Sequence, residues 1–128
     1  MFDLTAEEAK LLLNVALMAI GRNRFKSAAK ILAALERFRP DQVSLAEAKA
    51  VALISALKFA EAVAYIDGEG LVRFPDSAML WAFKGMALMR MGRNEEAGEA
   101  LAKAANGSDP AAAKLAADLL VDCTEGEV

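Results

Sequence analysis

Side-chain chemistry needs a nucleophile, a base or a set of ligands, and this sequence offers few of them. It holds one cysteine, Cys123, and no histidine. That removes imidazole bases, Ser-His-Asp triads and Cys/His metal sites together. Glu95, Glu96 and Glu99 fall at the amino end of a helical stretch, where acids suit the helix dipole and face solvent. No two carboxylates are set across an acceptor for general acid–base work. The basic group Arg22, Arg24, Lys26 and Lys30 reads as a solvated turn and helix face. A net charge of −3 and a pI near 5.0 give no net basic field to neutralise nucleic-acid phosphates. Asn106-Gly107-Ser108 is a turn, too short to cradle a phosphate, and Cys123 reads as an incidental thiol. The expectation is a protein that is not an enzyme, with no catalytic residue, cofactor, metal or small-molecule substrate, and no nucleic-acid partner.

The elements that would position a binding surface are easier to read. Apolar residues make up 56% of the chain and charged residues 26%, with 29 alanines and 17 leucines, which excludes disorder. A length of 128 residues suits one domain. The opening Met1-Phe2-Asp3-Leu4-Thr5-Ala6-Glu7-Glu8 is acidic where a secretory signal is basic. The longest apolar stretches, Leu11–Ile20 and Ala50–Leu57, fall short of the ~20 residues needed to span a bilayer. A lone thiol fits a reducing compartment. These features predict a soluble cytoplasmic protein with no membrane insertion.

The prolines reveal a repeat. Pro40, Pro75 and Pro110 are separated by 35 residues and then by 35 again. Ala28, Ala62 and Ala97 recur at intervals of 34 and 35, each followed four residues later by a bulky residue: Leu32, Ile66 and Leu101. A period near 34 with paired helical stretches is the signature of a tetratricopeptide array. The third unit follows that consensus most closely, through Trp81, Gly85, Leu88, Gly92, Ala97, Leu101 and Ala104. Gly85 and Ala97 belong where two helices cross closely, and Gly92 where a left-handed cap is required. The second unit has Leu57-Lys58 in place of that glycine. In the first, Gly21 fills the place, and the turn Gly21-Arg22-Asn23-Arg24 reads as two residues longer than the pattern.

The spacing predicts an all-α fold of seven helices over approximately 5–20, 25–38, 42–57, 59–72, 76–91, 94–106 and 110–122. They group as a tetratricopeptide-like superhelix of three repeats (5–40, 41–75 and 76–109) with a capping helix at 110–122. Together they make one domain over 1–123, followed by a frayed tail at 124–128. Thr5 with Glu8 forms a capping box. Ser77 or Asp76 caps the fifth helix, and Asp109-Pro110 starts the seventh. The two glycines of Asp67-Gly68-Glu69-Gly70 weaken a continuous fourth helix.

In such arrays the first helix of each pair turns four positions inward. Here they are Lys10, Leu13, Leu17 and Ile20; Ser44, Glu47, Val51 and Ile54; and Met79, Ala82, Met86 and Met89. Eight of these twelve are bulky aliphatic residues or methionine. That argues against a clamp for an acidic peptide tail and suits an amphipathic helix moulded by flexible methionines. The same stripe is also what core packing or self-association would produce. Trp81 and Met91 read as packing residues.

Over about residues 9–121 the layout resembles a narrower family, the small tetratricopeptide chaperones of bacterial type III secretion and their Hrp-system relatives. The resemblance rests on Leu12-Leu13-Asn14-Val15-Ala16-Leu17 ending at Gly21, a degenerate middle unit, the Trp81-Ala82 pair, the Met91-Gly92 turn and Ser108-Asp109-Pro110 before a last helix. It implies a cytoplasmic export chaperone that holds a small helical needle-type subunit and prevents its premature polymerisation. The partner-binding groove would comprise Leu13, Leu17, Ile20, Val51, Ile54, Met79, Ala82, Met86 and Met89. A small helical co-chaperone would meet Leu11 and Phe25. An apolar channel left empty predicts dimerisation of the protein when alone. A general tetratricopeptide scaffold, or a self-associating adaptor, is the alternative.

Overall fold

Three helix starts in this chain are set by capping side chains. The computed structural model describes residues 5–39 and 42–125, the last three as backbone only, and every regular element among them is helical. Pro40 and the thiol of Cys123 lie outside the described residues. The elements are α1 (Ala6–Gly21), α2 (Phe25–Phe38), α3 (Val43–Ser55), α4 (Phe59–Tyr65), a π-helical turn (Ile66–Gly70), α5 (Leu71–Arg73), α6 (Ala78–Arg90), α7 (Asn94–Ala105) and α8 (Pro110–Glu125). Since α4, the π-turn and α5 run on without a break, they occupy the fourth expected helix. Residues 124 and 125, expected in the tail, are helical. Among the described residues no helix is long and apolar enough to cross a membrane.

Three expected caps are present. The Glu8 N–H donates to the Thr5 hydroxyl oxygen and the Thr5 N–H donates to Glu8 Oε1, each at 3.1 Å. The Thr5 N–H foremost, and its side chain next, hold the Glu8 carboxyl below the ordinary glutamate range. Ser77, not Asp76, caps α6, its Oγ accepting from the Leu80 N–H at 3.2 Å. Asp109 Oδ1 accepts from Ala111 N–H at 3.1 Å, and Pro110 takes the first position of α8.

The turns after α1, α3 and α6 are the same turn. Each has three residues, and the middle one is left-handed: Asn23 at φ 60°, Leu57 at φ 63° and Gly92 at φ 78°. The N–H groups of Asn23, Leu57 and Gly92 donate to the carbonyls of Ile20, Ile54 and Met89, three residues back in each case. Arg24 and Arg93 then donate to Ala19 and Leu88 at 2.8 and 2.9 Å, closing a Schellman cap. This corrects the expectation of a long first turn. Gly21 belongs to the last turn of α1, and Asn23, a residue that tolerates this conformation, holds the glycine place. Leu57 holds it at a cost of about 1–2 kcal/mol. That is no more than one buried leucine contributes, about 1.5–3 kcal/mol, so packing overrides it.

The chain divides into two compact units, Met1–Leu57 and Lys58–Val128, the division falling inside the expected second repeat. In the first, α1 packs on α2, and α3 packs on both. Its core joins Ala16, Leu32, Leu35, Leu45 and Ala48, with Leu12, Leu13 and Ile31 packed around them. The Lys49 ammonium meets the Glu36 carboxylate at 2.6 Å, tying α3 to α2 at the surface.

In the second unit, α6 packs against α4, α7 and α8. The small-residue crossing expected here is present. A Cβ built on Gly85 would lie 2.5 Å from Leu101 Cγ, closer than real Cβ contacts come, and a tight 3.3 Å from the Ala97 carbonyl oxygen. The expected packing residues Ala28, Leu32, Ala62, Ile66, Ala97 and Leu101 are all buried in their own units. The two glycines do not break the fourth helix. Helix continues through a π-turn in which the Leu71 N–H reaches the Ile66 carbonyl five residues back, and Gly70 lies where a Cβ would meet Leu80 Cδ1 at 3.2 Å.

Candidate functional site

Helix α1 is apolar on more than one side, and that property defines the candidate surface. Leu12, Leu13 and Ala16 face the core of the first unit. Leu11, Val15 and Met18 lie at i, i+4 and i+7, so they form one stripe on a different face of the same helix. Their exposures are 65%, 43% and 58%. Leu17, also exposed, flanks the core-facing side. Nothing within the described first unit covers this stripe.

A pocket opens on another side of α1. It has a volume of about 360 Å³ and sits where the first half of α1 meets the end of α2 and the start of α3. Leu13, Leu35 and Leu45 give it an apolar floor, while Lys10, Asn14, Arg39, Gln42 and Ser44 give it polar and cationic sides. At this volume, near the lower end for small-ligand pockets, it has room for about one bulky side chain and its neighbours. Among the described residues no polar or charged side chain is fully buried. Nor do any three His, Cys, Asp or Glu side chains among them gather as a metal site requires.

No family model, no curated protein and no solved structure matches the chain.

The twelve inward positions expected from the repeat therefore rest on this structure alone, and it separates them. Lys10, Leu13 and Ser44 meet at the pocket. Leu17 is exposed, and Val51 and Ile54 are half-buried in the first unit. Ile20 is buried, which removes it from any partner surface. In the second unit Met79 and Met86 are half-buried. Met89 packs against both Leu88 with Ala97 and the cluster around Leu101, so much of it serves the core. Ala82 is fully buried in a cluster with Leu101, Ala104 and Ala116. Helix α8 supplies Ala116 and Leu115 to that cluster, and this covering is why Ala82 cannot be a groove residue. Of the two residues expected to meet a co-chaperone, Leu11 is open to solvent and Phe25 is half-buried.

Trp81 packs in the same cluster and is anchored on several sides, as expected for a packing residue. Its indole N–H donates to the Pro75 carbonyl at 3.3 Å, and the ammonium groups of Lys103 and Lys84 lie 4.2 and 5.2 Å from the ring centroid.

Sequence reasoning missed Val15 and Met18, although their spacing from Leu11 was there to find them. It also missed Arg39. That residue reaches the pocket from the end of α2, outside the first helices that carry the inward positions.

Proposed function

We propose that the chain is a tetratricopeptide-type protein-binding module whose first unit receives the apolar face of a helical partner. The observation that carries this reading is the stripe Leu11, Val15 and Met18, three bulky residues left in solvent on one face of a helix whose other side is core. Water imposes a cost for each of them, and a partner helix relieves it. The thrice-repeated three-residue turn, at intervals of 34 and 35 residues, supports assignment of the helix pairs to the tetratricopeptide class.

Within that class the reading is an export chaperone of the type III secretion kind, acting in the bacterial cytoplasm. Its partner is a short amphipathic subunit whose apolar face would otherwise drive polymerisation, or the small helical co-chaperone of such a system. The chaperone's part is physical rather than chemical: it replaces the subunit's self-contacts with contacts to α1 until export. Co-purification of the full chain from its native host, followed by mass spectrometry, tests this. The expected result is a stoichiometric small helical protein that protects α1 from hydrogen exchange. Recovery of the chain alone as a homodimer would transfer the stripe to a self-interface and overturn the chaperone reading.

A further inference from the structure

We infer that Asn106 is a site of spontaneous deamidation, gated by opening of the turn between α7 and α8. The step needs no enzyme and no partner, only hydroxide and water. The backbone nitrogen of Gly107, once deprotonated, attacks the Asn106 side-chain carbonyl carbon. A C–N bond forms, and the amide group leaves as ammonia after taking a proton from water. Water then opens the succinimide ring at one carbonyl to give aspartate, or at the other to give isoaspartate. In isoaspartate the main chain runs through the side chain and is one carbon longer.

A side chain on the attacking residue hinders this ring closure. The chain holds four asparagines, and the residues after them are Val15, Arg24, Glu95 and Gly107. Only Gly107 has no Cβ. Asn106 and Gly107 are both exposed, so hydroxide and water reach them. Asp67-Gly68 has the same spacing, but a carboxylate is a poor electrophile, and this one pairs with the Lys84 ammonium at 2.8 Å.

The folded turn sets the gate. Asn106 stands at φ −88° and ψ −1°, and the Gly107 N–H donates to the Ala104 carbonyl at 3.2 Å. Ring closure requires the Gly107 nitrogen to eclipse Asn106 Cβ, a rotation of about 120° at a tetrahedral carbon. That rotation breaks the hydrogen bond to Ala104, so the reaction proceeds from the opened turn. The product does not fit back easily. A Cβ built on Gly107 would already lie 3.0 Å from Ala78 Cβ at the start of α6, which leaves little slack for a lengthened main chain. The new carboxylate also lies at the carboxyl end of α7, where the helix dipole disfavours it. Leu115 and Ala116 of α8 pack in one cluster with Ala82 and Leu101, so a displaced turn loosens the second unit.

The test incubates the full chain, folded and in urea, at neutral and mildly alkaline pH, and maps its peptides by mass spectrometry. Asn106 should gain the mass of an amide-to-acid exchange ahead of Asn14, Asn23 and Asn94, giving both aspartate and isoaspartate. Its rate should rise about tenfold per pH unit, as the deprotonated fraction of the amide does. The folded chain should react at least about threefold more slowly than the unfolded one. The converted chain should melt at a lower temperature than the fresh one. Asn106→Asp, which carries the charge without the extra carbon, should keep most of the wild-type melting temperature. Conversion in urea with none in the folded chain, or faster conversion at another asparagine, would overturn the site. Equal rates in the two states would overturn the gate, and unchanged melting after conversion would overturn the coupling to α8.

Discussion

Helices α1 and α6 each open a helix pair, each end in the same left-handed turn, and treat their apolar residues in opposite ways. In α6, Leu80, Ala82, Ala87 and Leu88 are buried, and the helix has α4, α7 and α8 as neighbours within its unit. In α1 only Ala16 and Ile20 are buried, the neighbours in its unit are α2 and α3, and Leu11, Val15 and Met18 remain in water. The same backbone device thus carries two kinds of helix. One spends its apolar surface on its own unit, and the other keeps part of it available. The comparison teaches that an apolar stripe takes its meaning from the elements that land on it, not from its composition.

The largest effect should come from α6. Gly85→Leu drives a side chain into Leu101 at the α6–α7 crossing and should cost about 3 kcal/mol or more, read as a fall in the melting temperature of the second unit. In the first unit, Leu32→Ala should cost about 2–4 kcal/mol by leaving a cavity beside Leu35 and Leu45, measured by urea unfolding. Leu11→Glu or Met18→Glu, on the open face of α1, should change stability by no more than about 0.5 kcal/mol. A large loss there would mean the stripe is core after all, and the contrast between the two helices would collapse.

Smaller effects sharpen the shared turn. Leu57→Gly should stabilise the chain by about 1 kcal/mol, because glycine adopts the left-handed conformation without the Cβ clash. Gly92→Ala should destabilise it by a similar amount for the reverse reason. The smallest effect is pH-dependent. The folded-state pKa of Glu8 is depressed, so its contribution is present above the unfolded-state value and is lost as pH falls through the folded one. The protection of the capped first turn of α1, taken as its amide exchange relative to the intrinsic rate at each pH, should therefore fall as Glu8 is protonated, and Glu8→Gln should remove that pH-dependent change.

Much of the fold was legible because its determinants are local. Thr5 with Glu8, Ser77, and Asp109 with Pro110 act on backbone groups two or three residues away, and all appear where their types and spacing put them. Ala97 was legible because its crossing beside Gly85 is too close for a larger side chain, and Ala28 and Ala62 recur at the same interval and are buried as it is. The candidate surface was less legible, since it depends on what arrives from a distance. Ala82 belongs to a position that turns inward in a repeat, but the arrival of α8 makes it core. Arg39 reaches the pocket only because the end of α2 lies beside α1 and α3. The first turn departs from expectation for a local reason: asparagine and glycine both tolerate the left-handed conformation, and Asn23 rather than Gly21 adopts it. Gly70, which ends the π-turn, lies where a Cβ would crowd Leu80 of α6, a neighbour that spacing within one helix does not encode.

The central claim is that the open face of α1 holds a helical partner. The most direct measurement compares Val15→Glu with the wild-type chain in co-purification from the native host, with circular dichroism as the folding control. The account predicts that the variant keeps wild-type helicity and melting behaviour but loses its stoichiometric helical partner, because a carboxylate placed in an apolar interface is left without compensation. A variant that folds as the wild type does and still retains that partner in full would contradict it.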